Sequence, residues 1–466
     1  MPNPKPGIAT ICLIACLLLL ACTATVQEPT AIPTPAPVTV PVTVEVTRIV
    51  PQQVIVETTP TPPQACVPAA FDEAREIKIG AILPLSSPGA LLKGFAMQTA
   101  LNIAVAELNE SGGIRGLPVR LITYDSAGQP DQAAAYARRL VMEDCVAAIT
   151  GLYHNQAAFA VAEKAAALDM PLIIAGATAD NVTAAKFPQV FRIAPTDTLL
   201  ANMPAKWLAE VGDYNQDGML FVVPIIDSRT ADSAHWQRMQ AGLDEFAIRY
   251  EVLPVDLPSS DFSSVIARIV TMDHLPDALF IYAGGEDALE MHEQILASGI
   301  GPQKNTLIIN HDPALDDDLF WRIVPDGAGA VVGRIGPWAK TVTAQGQTFA
   351  IKYAQYMERW PEAHAFAAYD SIYLIADALE RSPTPRGPDV IAALRLANVT
   401  LASGRYYFPY TADNSSDGLA APDFMWQQWP DVHTLYLQYA EPGQPSSEMP
   451  VIWPQIYRTV DAPVIR

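Results

Sequence analysis

The chain has 466 residues, half of them apolar, and its 50 acidic residues outnumber 29 basic ones to leave a formal charge of -21. No stripe of lysine and arginine stands ready to neutralise phosphates, which excludes nucleic acid as a partner. Acidity on this scale speaks for solubility and says nothing of the fold.

The chain opens with Lys5 and an apolar run from Ile8 to Ala21, too short and too early for a settled membrane span. Residues 1–21 therefore read as a signal peptide. Small Ala21 stands directly before Cys22, the processing pattern of bacterial lipoproteins, so Cys22 is expected to become the lipidated first residue. More than one acyl chain then anchors the protein outside the cytoplasm, at the surface of a bacterial membrane. Residues 22–75 read as this anchor and a stalk. Between Thr23 and Ala65 there are nine prolines among threonines and valines, a composition that favours extended backbone.

About 390 residues remain, more than one core usually serves, so two domains are expected. Of five cysteines, Cys12 and Cys16 leave with the signal and Cys22 takes lipid. Cys66 and Cys145 remain in an oxidising compartment; a disulfide between them stays open, because sequence carries no distance. No metal centre is expected from two cysteines so far apart.

Ile77 to Leu83 is a short apolar strand followed by a helix from Ala90 to Asn109, which Gly112-Gly113 and Gly116 stop. A strand from Val119 to Tyr124 and a helix from Pro130 to Glu143 form the next unit. The pattern repeats as Val146 to Thr150 with Asn155 to Leu168, then as Pro171 to Ala175. It restarts after Ile193, with a helix from Thr198 to Val211 and strands at Met219 to Pro224, Ala278 to Tyr282 and Thr306 to Asn310. Helices are expected at Ser233 to Tyr250, Phe262 to Met272 and Ala288 to Ser298, and later around Thr348 to Trp360, Ala365 to Arg381 and Pro388 to Ala397. The aromatic tail from Tyr406 to Trp453 reads as β-structure. Apolar strands alternating with helices spell an α/β protein with two doubly wound parallel sheets, buried on both faces.

Ligands of open parallel sheets sit at the carboxyl ends of strands. Four loops qualify: Pro84 to Gly94, Gly151 to Gln156, Gly176 to Asn181 and His311-Asp312-Pro313. Asn155 and Thr178 offer neutral donors for a carboxylate, or else cap helices. Asp312 offers an acceptor for an ammonium, or else forms a turn before Pro313. Asp213 to Gly218 resembles the start of a calcium loop, but Pro224 stands where a bidentate Glu is needed, so it reads as a turn. No nucleophile elbow, P-loop or complete dinucleotide fingerprint follows a strand, which favours binding over catalysis. A cleft enzyme would have to draw on His154, Asp180 and Glu286.

Ile77-Lys78-Ile79-Gly80, Pro84-Leu85-Ser86, the run from Glu107 through Gly112-Gly113-Ile114-Arg115-Gly116, and Tyr124-Asp125 together resemble the Leu/Ile/Val-binding family of solute receptors. The likeness continues through Asp131-Gln132-Ala133-Ala134, Gly151, Gly176-Ala177-Thr178, Phe191-Arg192 and Tyr369-Asp370, as far as about Gly404. It implies a type I periplasmic-binding fold: two lobes joined by a three-segment hinge that close over a ligand and present it to an ABC permease, with no cofactor and no chemistry. Residues 76–197 with 327–404 would form the first lobe, and 198–326 with 405–466 the second. By position in the resemblance, Tyr153 and Asn155 lie on the carboxylate-binding loop, Gly176 and Thr178 hold the α-amino and carboxylate groups, and Asp312 faces the ammonium. Arg229 and Glu286 fall near positions where the family often has aromatic residues, which argues for a more polar amino acid or amide-like solute than an aliphatic one. A sensory lipoprotein signalling to a membrane partner would share this fold and ligand.

Overall fold

The protein is described here by a computed structural model covering residues 66–231, 233–282, 286–310, 312–315, 317–411 and 421–460. The expected signal peptide, Cys22 and the stalk up to residue 65 lie outside the described residues, as do His311 and the side chain of Asp312. No helix among the described residues is long and apolar enough to cross a membrane.

Five parallel strands make the first sheet: β1 (Ile77–Leu83), β2 (Val119–Asp125), β3 (Ala148–Gly151), β4 (Leu172–Ile174) and β5 (Val190–Arg192), in the order β2-β1-β3-β4-β5. Between them run α1 (Leu91–Glu110), α2 (Pro130–Met142), α3 (Asn155–Ala167) and the short α4 (Asn181–Ala184). The period of two sorts each strand's side chains onto two cores. Ile79, Ala81, Leu83, Ala148 and Ile173 pack with α1, whereas Ile82, Ile149, Leu172 and Ile174 pack with α2 and α3. Double burial is why these strands read as continuous apolar runs.

The second sheet has eight strands. After α5 (Asp197–Val211) come β6 (Phe221–Asp227), α6 (Ala234–Glu245), β7 (Arg249–Tyr250), β8 (Leu253–Val255), α7 (Ser263–Val270), β9 (Ala278–Tyr282), α8 (Glu286–Ala297), β10 (Leu307–Asn310), α9 (Asp317–Ile323) and β11 (Val331–Ile335). The chain then adds α10 (Ala344–Met357), α11 (Ala363–Arg381) and α12 (Gly387–Arg395) to the first unit, where Phe349, Phe366 and Leu394 share the core of α1. A hairpin of β12 (Val399–Leu401) and β13 (Gly404–Tyr406) follows, and β14 (Thr434–Gln438) and β15 (Val451–Trp453) return to the second sheet. Its order is β15-β14-β11-β10-β9-β6-β7, with β8 also paired to β6; β14 and β15 are antiparallel.

Among the described residues the chain passes between the two units three times: after β5, after β11 and between β13 and β14. Two segments lie elsewhere than the lobe boundaries expected from sequence. β11, expected with the first lobe, pairs with β10 in the second sheet, whereas Tyr406, Phe408 and Trp429, expected with the second, pack in the core of the first. The expected helix to Tyr250 stops earlier: Ala247 turns the chain with φ 53°, and Arg249–Tyr250 joins β6 as a strand. No glycine stands at the turn itself to announce that reversal.

The expected stalk boundary at residue 75 also moves. Cys66 and Cys145 form a disulfide with 5.1 Å between their Cα atoms, and Phe71 packs on the first unit beneath the guanidinium of Arg115, 4.3 Å from its ring centroid. The bridge closes a loop with a sequence separation of 79, so it removes much of the freedom of the unfolded chain. Cys145→Ser is expected to lower stability by about 2–4 kcal/mol. Urea midpoints of wild type and variant measure this, and equal midpoints would contradict it.

Candidate functional site

Strands of a parallel sheet end on one edge, and there the loops of the first unit converge. At the end of β3, Gly151 and Leu152 adopt left-handed backbone, φ 104° and 64°, unusual for leucine. The turn is held: Leu152 N–H donates to the Ile82 carbonyl, and its own carbonyl accepts from Ala177 N–H, both at 2.9 Å. These contacts bring Tyr153 to the Gly176–Thr178 loop, and all three line one cavity of about 210 Å3. At Gly176 an added Cβ would stand 3.0 Å from both the Leu152 carbonyl oxygen and Tyr153 Cα, so the close approach of the two loops favours glycine.

The three passages between the units supply the rest of the wall. Ile193 to Pro195 comes from the first, Ile335 to Pro337 from the second, and Trp429, Val432 and His433 from the third. Lys93 at the start of α1, and Glu362 and His364 at the start of α11, complete it with Arg334 and Ser403. The cavity thus lies against the hinge.

Of the sequence-derived site residues, Tyr153, Gly176 and Thr178 are brought together here. Asn155 is not in the lining: its Oδ1 accepts from the N–H groups of Thr178 and Ala179, at 2.8 and 3.0 Å, and so shapes the loop. Arg229, at the carboxyl end of β6, has 70% of its side chain exposed and pairs with Asp227, donating from Nε at 3.0 Å. Glu286 begins α8 with 64% exposure, 4.0 Å from Arg322. Neither lines the cavity. The Asp312 backbone starts a short 3-10 turn after β10.

The acid-base candidates are likewise tied into separate local contacts. Asp180 accepts from the Thr198 N–H and hydroxyl, at 3.2 and 2.6 Å, and lies 3.7 Å from Arg238. His154 occupies the N-cap position of α3 with its ring edge-on to Tyr153. The Asp213 carboxylate accepts from Asp217 and Gly218 N–H groups, at 3.1 and 2.7 Å, which is a turn's use of that residue.

Sequence reasoning missed Lys93, Arg334, Glu362, His364 and His433. Arg334 is 6% exposed; it donates to the Pro361 carbonyl at 2.9 Å and lies 5.0 Å from the Trp338 ring centroid. Burial pushes the Glu362 carboxyl up, but His364, its own backbone N–H, Arg359 and the Tyr353 hydroxyl together hold it below its ordinary value. Burial pushes His364 down to about 4; Glu362 opposes this, while Lys93, Arg334 and Arg359 add to it. Burial likewise holds His433, stacked 4.3 Å from Tyr457, at about 4. Behind the wall, buried Asp370 accepts from Ala402 and Ser403 N–H groups and from the Tyr406 hydroxyl, at 2.8, 2.9 and 2.7 Å. One signal was available: Arg334 interrupts an apolar run that ends a parallel strand, the same position that marked the other loops.

Comparison with known proteins now adds kinship. A family profile described as "Periplasmic binding protein" matches residues 76–430. "Leu/Ile/Val-binding protein homolog 7" of Brucella suis is 33% identical over 144 residues, 31% of this chain and 36% of that protein; the chain thus aligns with about a third of that relative's length. "Leu/Ile/Val-binding protein BraC3" of Rhizobium johnstonii is 26% identical over 350 residues, 74% of this chain and 90% of that protein. The crystal structure of the branched-chain amino acid transporter substrate-binding protein LivJ from Streptococcus pneumoniae, in complex with isoleucine, superposes with a TM-score of 0.57 at 19% identity, covering 80% of this chain and 97% of that one.

Proposed function

We propose, from the premise that the chain belongs to the periplasmic binding protein family, that it is the solute-capturing component of an ABC transporter, taking up an amino acid or similar small polar solute. The observation that carries this reading is the meeting of Tyr153, Gly176 and Thr178 with all three hinge passages in one cavity of about 210 Å3. A site shared by both units and by the hinge couples occupancy to their relative position, so a ligand shifts an open-closed equilibrium. The cavity is small by the standard of drug-sized ligands, which suits a single metabolite. The names of the relatives, a Leu/Ile/Val-binding protein and a branched-chain amino acid substrate-binding protein, support the amino-acid class. In this reading Thr178 and Gly176 hold the main-chain groups of the solute, Tyr153 covers them, and Asn155 fixes the loop. Arg229, Glu286 and Asp312 stand on the second unit, outside the cavity lining, and come to the solute only if the units close on it. Cys22 carries the lipid anchor, and an ABC permease receives the closed form.

A thermal-shift screen of the full chain against α-amino acids, small amides and dicarboxylates tests the reading, because a ligand that binds only the native state raises its melting temperature. At least one α-amino acid is expected to raise it in a saturable way. Stabilisation by small amides or dicarboxylates alone would sink the amino-acid class.

A further inference from the structure

Buried nitrogens with no hydrogen-bond partner among the described residues gather on one wall of the cavity. They are Nδ1 and Nε2 of His433 and Nε2 of His364, and both rings line the space. His433 is 1% exposed and belongs to the third hinge passage. Its ring is packed, with Tyr457 stacked at 4.3 Å and Trp429 at 6.1 Å. The Thr341 backbone favours a proton on that ring, yet neither nitrogen makes a hydrogen bond to it. His364 enters from the start of α11, edge-on to Tyr153 at 5.4 Å. Glu362 is engaged elsewhere, with Arg359 at 2.8 Å and the Tyr353 hydroxyl donating to it at 2.9 Å. Burial keeps both imidazoles neutral at pH 7, and a neutral imidazole carries one N–H donor and one lone pair. A buried polar atom left unpaired costs free energy, so three on one wall call for a partner. Ile193, Leu200, Ile335 and Val432 also line the cavity and give methylene groups a place.

We infer that the solute's side chain ends in an uncharged carboxamide, as in asparagine or glutamine, and that His433 and His364 are the residues that recognise it. The inference rests on the amino-acid reading and narrows it. A carboxamide has its acceptor and its donors on two separate atoms. One ring can therefore donate to the oxygen while the other accepts from the NH2, each settling into the tautomer its partner requires. A carboxylate has no N–H to give, so it cannot meet a ring that presents its lone pair. A branched alkyl chain would leave all three nitrogens unpaired.

Isothermal titration of the full chain with glutamine, asparagine, leucine, methionine and glutamate decides it. The tighter of the two carboxamides is expected to bind at least about tenfold more tightly than the other three amino acids, a difference of about 1.4 kcal/mol. His433→Phe keeps the stacked ring and removes both nitrogens. It is expected to weaken that carboxamide by about tenfold or more while changing leucine by less than about threefold. It is also expected to leave the melting temperature of the free protein unchanged or higher, because the fold makes no hydrogen bond to these nitrogens, whereas a ring with only a structural role would lower it. Should His433→Phe fail to fold, His364→Leu is read by the same affinity comparison. Leucine or glutamate binding as tightly as the better carboxamide, or folded variants that lose no carboxamide affinity, would overturn the inference and leave the amino-acid reading intact. Binding of none of the five would overturn the inference, and the wider thermal-shift screen of α-amino acids then decides whether the reading falls with it.

Discussion

Replacing Arg192 with methionine is expected to destabilise the protein by about 3–5 kcal/mol, because it strips a fully buried cation out of a network built around it. Arg192 ends β5 and has no exposed surface. Its guanidinium donates from Nε to Gln428, from Nη1 to the Ala179 carbonyl and from Nη2 to the Thr183 hydroxyl, each at 2.6 Å. Its backbone donates to Gln427 and accepts from Trp429. Burial pulls the group down to about 10, with Asp180 and Asp197 opposing, so it stays charged at neutral pH. One side chain thus clamps the loop after Thr178 to the third hinge passage. Methionine fills the volume but leaves three buried acceptors unsatisfied. Urea unfolding measures the loss, and a change below about 1 kcal/mol would contradict the clamp.

The second large effect is acid lability. His292 is buried against Asn310 and held at about 3 by burial, and His364 and His433 at about 4. A histidine whose folded value is depressed costs nothing above its unfolded pKa of about 6.5. Below it the unfolded chain takes a proton that the folded chain refuses, so stability falls as pH drops from about 6.5 toward 4. Each group contributes about 1.4 kcal/mol per pH unit within that window. Asp370 runs the other way. Burial raises it to about 6, and the hydrogen bonds it accepts only partly offset that rise, so its protonation favours the fold between about pH 6 and 4 and offsets one histidine. The net expectation is a steadily falling melting temperature from pH 7 to pH 4.5. A melting temperature that holds or rises over that range would contradict the three neutral histidines.

The resemblance motif was legible because it builds the fold rather than the site. Gly113 has φ 78°, and an added Cβ there would collide with the Leu117 carbonyl. Arg115 reaches across to donate to the carbonyls of Leu379, Glu380 and Ser382, closing the end of α11. Asp125 accepts from Leu85 and Ala127 N–H groups and so sets the first loop. None of these residues lines the cavity, which is why a recognisable family left the solute undecided. The strands of the first sheet stood out as apolar runs. β11 did not, because Gly333 and Arg334 break its apolar pattern, and with it went the second hinge passage and the arginine at its end. Lys93, Glu362 and His364 open helices whose existence was expected. Their arrival at the cavity depends on packing between α1 and α11, a contact made across more than 250 positions of chain that no local pattern encodes.

The central claim is that one small solute sits between Tyr153, the Gly176–Thr178 loop and the hinge. Calorimetric titration of the solute that most raises the melting temperature, run on wild type and on Gly176→Val, tests it most directly. Wild type is expected to bind one solute per chain, and the valine, whose Cβ alone would stand 3.0 Å from Leu152 and Tyr153 backbone atoms, to bind at least about 100-fold more weakly, a loss of about 2.7 kcal/mol. Undiminished affinity in a folded Gly176→Val protein would place the solute elsewhere and contradict the account.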